Sequence, residues 1–191
     1  NDGFKASNFT NSKKNIYKYL GEKGYAKGIL DTKAHIDLDE YKVDIEYQIT
    51  KNNLQYFGEV SIQNDAKIET AFLEKNIQIK KGQTYNSNLI DKTYENLYNF
   101  GIYKYIAIEP NLDTQNDIIP VNVKLVQGNY RETTYGIGYD TDTKARFKAQ
   151  YKNDNFLGNL KSFTIGTKVN SDGFEVYNNL YNPYFINDDI S

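Results

Sequence analysis

The sequence predicts an α+β chain: paired helix-and-strand units first, then a run of antiparallel strands. Three observations predict it. A helix, a glycine and two strands occur in the same order twice, 77 residues apart. From about Arg131 onward, apolar and polar residues alternate with period two between polar turns, the mark of half-buried antiparallel strands. No apolar run approaches the ~18 residues of a membrane-crossing helix, and mean hydropathy is -0.73. That last observation leaves membrane strands open, because their alternation gives weak hydropathy.

Composition sets the bounds. A chain of 191 residues suits one or two small domains. Its 39% hydrophobic and 25% charged residues suffice for a folded core. The 18 Tyr and 10 Phe, with no Trp, suit β structure. A net charge of -2 with scattered signs gives no basic footprint, so no nucleic-acid partner is expected. Zero Cys removes disulfides, thiolate catalysis and cysteine metal sites. There is no Met, residue 1 is Asn, and no signal peptide is visible; the expectation is an excised piece of a longer secreted chain.

In the first unit, Thr10 or Ser12 is the expected helix cap, and Ile16, Tyr17 and Leu20 form the apolar stripe. Gly21 and Gly24 end the helix, Gly24 being the better cap. A loosely patterned strand is expected from Tyr25 to Leu38, and a turn at Asp39-Glu40. Tyr41, Val43, Ile45, Tyr47 and Ile49 then alternate with charged or polar neighbours, giving a strand with one wet face.

The second unit is complete, in the order β-α-α-β-β. Tyr56, Gly58, Val60 and Ile62 alternate as its opening strand. A short helix is expected over 67–77, with Ala71, Phe72 and Leu73 inward. Asn86 or Ser87 caps a second helix whose apolar face is Ile90, Tyr94, Leu97 and Tyr98, and Gly101 ends it. Strands follow over 103–109 and 118–126. Placing Gly24 on Gly101 sets Leu20 on Leu97 and Tyr17 on Tyr94. One extra residue in the turn then sets Tyr41, Val43, Ile45 and Tyr47 on Ile119, Val121, Val123 and Leu125, which makes an internal repeat. The expected core contact is Leu97 and Tyr94 against Val121 and Val123.

In the third part, Tyr135, Ile137 and Tyr139 share one face of a strand, opposite Gly136 and Gly138. Asp140 to Lys144 turns, and Phe147, Ala149 and Tyr151 alternate with Lys148, Gln150 and Lys152. Alternation alone also fits a hairpin of a soluble sheet. Strands over 160–169 and 174–180 flank a hairpin turn at Asn170-Ser171-Asp172-Gly173.

Two stretches carry a family resemblance. Lys81-Gly-Gln-Thr-Tyr-Asn86, the ending Leu97-Tyr-Asn-Phe-Gly-Ile-Tyr103 and the strand through Ile106 and Ile108 resemble the POTRA (polypeptide-transport-associated) domain. The ending recurs as Leu20-Gly-Glu-Lys-Gly-Tyr25. Gly136-Ile-Gly-Tyr-Asp-Thr-Asp142, then a strand, then Asn155-Phe-Leu-Gly158, resembles the start of the β-barrel in the BamA/TamA superfamily. Thr141-Asp142-Thr143 followed by Arg146 looks most like the TamA branch, with Lys144-Ala145 where that branch usually has Gly-Pro.

The resemblance implies tandem POTRA (β-α-α-β-β) units followed by the first antiparallel strands of a transmembrane β-barrel. The implied divisions are 1–51 (partial POTRA), 52–128 (complete POTRA) and 129–191 (about four barrel strands). Bacterial barrels begin at about eight strands, so the rest of the barrel would lie beyond Ser191. The implied function is outer-membrane protein assembly or insertion, TamA-like, with a BamA-like factor or a two-partner secretion transporter as alternatives. The implied location is the outer membrane of a Gram-negative cell, with POTRA units in the periplasm. The implied partners are unfolded outer-membrane protein clients, outer-membrane lipid around the full barrel, and an inner-membrane or periplasmic protein. A soluble β-rich binding module is the reading from a different class.

Residues that could carry chemistry are sparse. The only His, His35, sits in a strand without Cys partners, and no nucleophile motif surrounds any Ser, so neither an enzyme nor a zinc site is expected. Asp140-Thr-Asp142-Thr-Lys144 starts like a calcium loop but lacks its glycine and closing Glu. No cofactor or metal is expected. What remains is backbone chemistry: an open strand edge offers N–H and C=O groups to an extended peptide. The expected client-pairing residues are Tyr103, Lys104, Tyr105 and Ile106 in one strand, and Arg131, Thr133, Tyr135, Ile137 and Tyr139 in another. The resemblance implies that the first is an outer strand of its sheet and the second a barrel seam that opens sideways.

Overall fold

The computed structural model describes residues 5–141 and 144–183. In chain order the elements are α1 (Ala6–Glu22), β1 (Ile29–Asp37), β2 (Lys42–Thr50), β3 (Tyr56–Asn64), α2 (Thr70–Asn76), α3 (Ser87–Tyr98), β4 (Tyr103–Pro110), β5 (Ile118–Gln127), β6 (Arg131–Asp140), β7 (Lys144–Asn153), β8 (Ser162–Asn170) and β9 (Gly173–Tyr181). Three sheets form: β1-β2, β3-β5-β4 and β6-β7-β8-β9. The chain makes two compact units, one of Asn1–Ser61, Gln78–Thr93 and Ile108–Val123, the other of Ile62–Ile77, Tyr94–Ala107 and Lys124–Ser191.

The first unit opens with α1. The helix begins at Ala6 with Lys5 as N-cap and no side-chain cap bond, so neither Thr10 nor Ser12 caps it. Thr10 lies inside the helix and donates instead to the Ala6 carbonyl at 3.1 Å, a bond to the preceding turn. The C-terminal end follows the sequence. Gly24 takes φ 90, Tyr25 N donates to Leu20 O (2.8 Å) and Gly24 N donates to Gly21 O (3.3 Å), a Schellman ending. The chain leaves this cap through a loop, so β1 starts at Ile29 and not at Tyr25.

Asp37 Oδ1 accepts the amides of Asp39 and Glu40 at 2.9 Å each, which shapes the turn between β1 and β2. Tyr41 stands in that turn at φ 50, exposed, and not at the head of β2. Val43, Ile45 and Tyr47 are half-buried and Ile49 is exposed. Their counterparts one repeat later, Ile119, Val121, Val123 and Leu125, are all buried. The difference has a structural cause: β2 pairs only with β1, whereas β5 has a strand on each side.

In β3 the parity of Gly58, Val60 and Ile62 is the inner one, but Tyr56 is exposed and Phe57 fully buried. The strand entry is set by the loop beside it. Phe57 N donates to Gln83 O, Gly82 N donates to Phe57 O, and the Phe57 ring packs on Tyr85 at 4.9 Å. Asn86 caps α3, its Oδ1 accepting Asn88 N at 2.9 Å. Thr93 is fully buried, where it donates to Leu89 O (2.7 Å) and accepts Gln78 N (3.0 Å).

In the second unit, α2 covers only Thr70–Asn76; Leu73 is buried, Phe72 half-buried and Ala71 exposed, so one helix face and not three consecutive residues turns inward. Leu97 is 0% exposed, as Leu20 is 3%, which supports the repeat alignment. Tyr94 and Tyr98 are exposed and stack on each other at 6.0 Å. Tyr94 is therefore not a core partner of Val121 and Val123, although Leu97, Val121 and Val123 are all buried. The aligned Tyr17 is exposed too, so the two copies match in this respect as well.

Candidate functional site

The four-stranded sheet is antiparallel throughout, and its register sorts side chains onto two faces. One face carries the rows Ile137–Phe147–Val169–Phe174, Tyr135–Ala149–Thr167–Val176 and Thr133–Tyr151–Ile165–Asn178. The other carries Gly136–Lys148–Lys168–Glu175 and Thr134–Gln150–Gly166–Tyr177. The apolar face is uncovered: Ile137 is 89%, Phe174 80% and Tyr135 72% exposed.

The polar face is knit by specific bonds. Tyr177 lies over Gly166, where an added Cβ would meet its hydroxyl at 2.4 Å, and donates to Gln150 Oε1 at 2.9 Å. Lys168 Nζ stands 5.3 Å from the Tyr177 ring centre and 3.2 Å from Glu175 Oε2. At the hairpin end, Asn170 Oδ1 accepts the amides of Asp172 and Gly173 at 3.1 Å each, which closes the two-residue turn expected there.

β6 is an edge strand of this sheet and β4 an edge strand of β3-β5-β4. Every second N–H and C=O of an edge strand points away from its partner, toward whatever pairs next. The structure thus brings the nine sequence-predicted residues onto two edges in two different sheets. On β6, Arg131, Thr133, Tyr135, Ile137 and Tyr139 share the apolar-face parity and are exposed. On β4, Lys104 and Tyr105 are exposed and Ile106 is half-buried.

Tyr103 differs from its neighbours. Its hydroxyl donates to Asn64 Oδ1 at 3.0 Å, which holds the side chain in place. Burial pushes its phenol well above the usual tyrosine range, and the Asp65 carboxylate adds to the shift. His35 is exposed in β1, opposite Asp44. Asp142 and Thr143 of the calcium-like stretch lie outside the described residues, and among the described residues no three metal-binding side chains cluster.

Sequence reasoning marked the turn between β7 and β8 but missed what it seats on. Asn153 and Asn155 are buried there. Asn155 Oδ1 accepts Leu160 N at 3.0 Å, and Phe156 stacks on Phe163 at 4.9 Å. The turn seats on the segment before α2: Asn159 N donates to Lys67 O (3.1 Å), Asn155 Nδ2 to the same oxygen (3.4 Å), and Glu69 N to Asn159 Oδ1 (2.9 Å). Gly158 holds φ 91, and a Cβ added there would stand 2.7 Å from Lys67 O. The signal was the Asn-Phe-Leu-Gly run, whose glycine and paired asparagines are turn formers.

Comparison with known proteins fits this geometry. Residues 55–128 match the POTRA family model described as "Surface antigen variable number repeat". The outer membrane protein assembly factor BamA of Nitratidesulfovibrio vulgaris is 20% identical over 123 residues, 64% of this chain and 16% of that protein. The crystal structure of BamA from Haemophilus ducreyi lacking POTRA domains 1–3 superposes on 95% of this chain and 34% of its own, with TM-score 0.81 and 18% identity. BamA POTRA3–5 from Haemophilus influenzae covers 66% of this chain and 50% of its own, with TM-score 0.61 and 19% identity. The chain spans a minor part of the curated relative's length.

Proposed function

We propose, since the chain belongs to the BamA/TamA superfamily of outer-membrane proteins, that it is the POTRA-to-barrel portion of a factor that assembles or inserts outer-membrane proteins. Residues 1–51 form a partial POTRA repeat and 52–128 a complete one, both in the periplasm, and 129–191 begin the membrane barrel. The observation that carries this reading is the two-faced sheet. An uncovered face with Ile137, Tyr135, Phe174 and Val176 is rare in a monomer in water. Lipid outside and a polar lumen inside satisfy both faces of the same strands.

The mechanism is backbone pairing. An unfolded client presents an extended segment, β6 offers a row of N–H and C=O groups, and a strand is added. Pairing through backbone groups demands alternation and not a fixed sequence, which suits a factor with many clients. β4 is a second template in the periplasm, through Lys104, Tyr105 and Ile106, while Tyr103 contributes backbone only because its hydroxyl is engaged with Asn64. No step is a bond-making reaction. Within the superfamily, Thr141-Asp142-Thr143 followed by Arg146 supports a TamA-like member; restoring barrel assembly in cells lacking either factor discriminates the two.

The test is a proline scan of residues 131–139 in the full-length protein, read as insertion of a barrel client. Proline removes a donor, so substitutions whose N–H faces outward should abolish insertion and those of the other parity should not. Equal tolerance at both parities would show that β6 does not template clients.

A further inference from the structure

We propose that Arg131 binds the phosphate of a phospholipid headgroup at the periplasmic rim of the barrel sheet. The site rests on the apolar face of that sheet meeting lipid, as proposed above, and names the lipid group and the side chain that meet there. Arg131 opens β6 directly after the short link from β5, so it stands at the end of the sheet joined to the POTRA unit. The turn between β7 and β8 lies at the same end, because Asp154 N donates to Tyr130 O at 2.8 Å. Register places Arg131 in the row Arg131–Asn153–Phe163–Leu180, on the apolar face. Among the described residues of these four strands, every other residue of that parity is uncharged. A charge on a lipid-facing strand is costly at the bilayer midplane and nearly free at the headgroups. From Arg131 to Tyr139 the strand rises about 26 Å. At a tilt of ~40° that is about 20 Å across the membrane, close to the ~25 Å height of a barrel's apolar band. Arg131 therefore reaches the headgroups at the inner rim when Tyr139 stands in the aromatic girdle at the outer one.

The guanidinium is held in place and its charge left unmatched. Its Cζ lies 5.0 Å from the centre of the Tyr130 ring, and Nη2 donates to the Tyr130 hydroxyl at 3.0 Å. Stacking and one neutral bond fix the group without neutralising it. A guanidinium carries several N–H donors, so others remain for a ligand. Among the described residues no carboxylate pairs with it. Asp154, at the same rim, is 2.9 Å from Lys152 Nζ. Glu132 falls on the polar face and accepts the Thr134 hydroxyl at 3.1 Å. Asn153, the register partner, is buried and its Oδ1 accepts Asn155 N at 3.1 Å. A phosphodiester presents two equivalent anionic oxygens, which match two parallel donors of the guanidinium fork. Phe163 and Leu180, in the same row, continue the apolar surface along which the acyl chains of that lipid lie. The long stem of Arg131 lets its head reach the phosphate while its methylenes stay on the apolar side.

The test uses the full-length protein in nanodiscs of phosphatidylethanolamine and phosphatidylglycerol, with two photoreactive phospholipids, one labelled at the headgroup and one at the acyl end. The headgroup probe should label the segment around Arg131. Arg131→Gln should lower that labelling about three- to tenfold, the range of a single exposed ion pair at a membrane surface. Arg131→Lys keeps the charge and loses the fork, so its labelling should fall between the two. Tyr130→Phe removes the hydroxyl that steadies the guanidinium and should give a smaller loss. The acyl probe should label Ile137 and Phe174 equally in all of these proteins. Inorganic phosphate and chloride at equal ionic strength should reduce headgroup labelling equally, by screening. A loss specific to phosphate would assign the site to the free ion and overturn the lipid ligand. Headgroup labelling unchanged in Arg131→Gln, with acyl labelling intact, would overturn the Arg131 site and leave the membrane face standing. Absence of acyl labelling at Ile137 and Phe174 would overturn the membrane face, and this site with it.

Discussion

Gly158→Ala tests the seat of the β7–β8 turn. Two separate costs meet at this residue. Its φ of 91 is unfavourable for any residue with a Cβ, worth about 1–2 kcal/mol. A Cβ there would also stand 2.7 Å from the Lys67 carbonyl oxygen, which is backbone and cannot simply rotate away. That oxygen accepts Asn159 N and Asn155 Nδ2, so moving it weakens two hydrogen bonds, another ~1–2 kcal/mol. The sum is about 2–4 kcal/mol. Two other glycines separate the costs. Gly101 has φ 70 with nothing within 4 Å of an added Cβ, so Gly101→Ala carries the backbone cost alone. Gly136 has neither, its nearest neighbour being 3.8 Å away, and Gly136→Ala should change little. The assay is amide exchange in the full-length protein, read at Asn159, Leu160 and Glu69, whose N–H groups hold the seat. A local loss of 2–4 kcal/mol accelerates exchange there by about 30-fold or more. If Gly158→Ala speeds exchange no more than Gly101→Ala does at its own helix end, the seat on Lys67 is not occupied and the reasoning fails.

Three further outcomes are expected. Leu97→Ala should cost about 2–5 kcal/mol as a core truncation, while Tyr94→Ala, on the exposed stacked pair, should cost far less; urea unfolding of the POTRA unit compares them. The raised phenol of Tyr103 keeps its proton in the folded state at pH values where the unfolded chain has lost it. Its contribution is therefore complete below the ordinary tyrosine pKa of 10.0 and declines as pH rises above it. Tyr103→Phe should remove that part of the alkaline destabilisation, measured as stability against pH. Val176→Lys places a charge on the apolar face and should oppose membrane integration by up to about 2–4 kcal/mol, whereas Thr164→Lys, on the polar face of β8, should be tolerated. Comparable insertion of both variants would mean the apolar face does not meet lipid.

What was legible in the sequence was local chemistry repeated in order. The Gly24 and Gly101 endings and the alternation of β6 to β9 need no distant partner to be recognised. Errors arose where a distant partner decides. Tyr94 has the right spacing for the buried face of α3, but Thr93 takes that place because Leu89 O and Gln78 N satisfy its hydroxyl. Apolarity alone therefore rotates the helix by one position. The choice between Tyr56 and Phe57 is made by Tyr85, which only the fold brings to Phe57.

The site divides the same way. Alternation marked the face of β6 that carries Tyr135, Ile137 and Tyr139, and polar turns marked its ends. The seat of the following turn was hidden, because Leu157, Asn159 and Leu160 all take positive φ, which non-glycine residues adopt only where surroundings impose it. Here Lys67, about ninety positions earlier, supplies the acceptor. Gly136 and Gly138 signalled close approach without saying by what. Register answers that: only pairing Gly138 with Arg146 lays the guanidinium across the strand. A one-residue slip would put Ala145 or Phe147 beside Gly138 and place the cations on the apolar face. The apolar alternation that forbids this slip therefore also keeps Arg146 and Lys148 opposite Gly138 and Gly136.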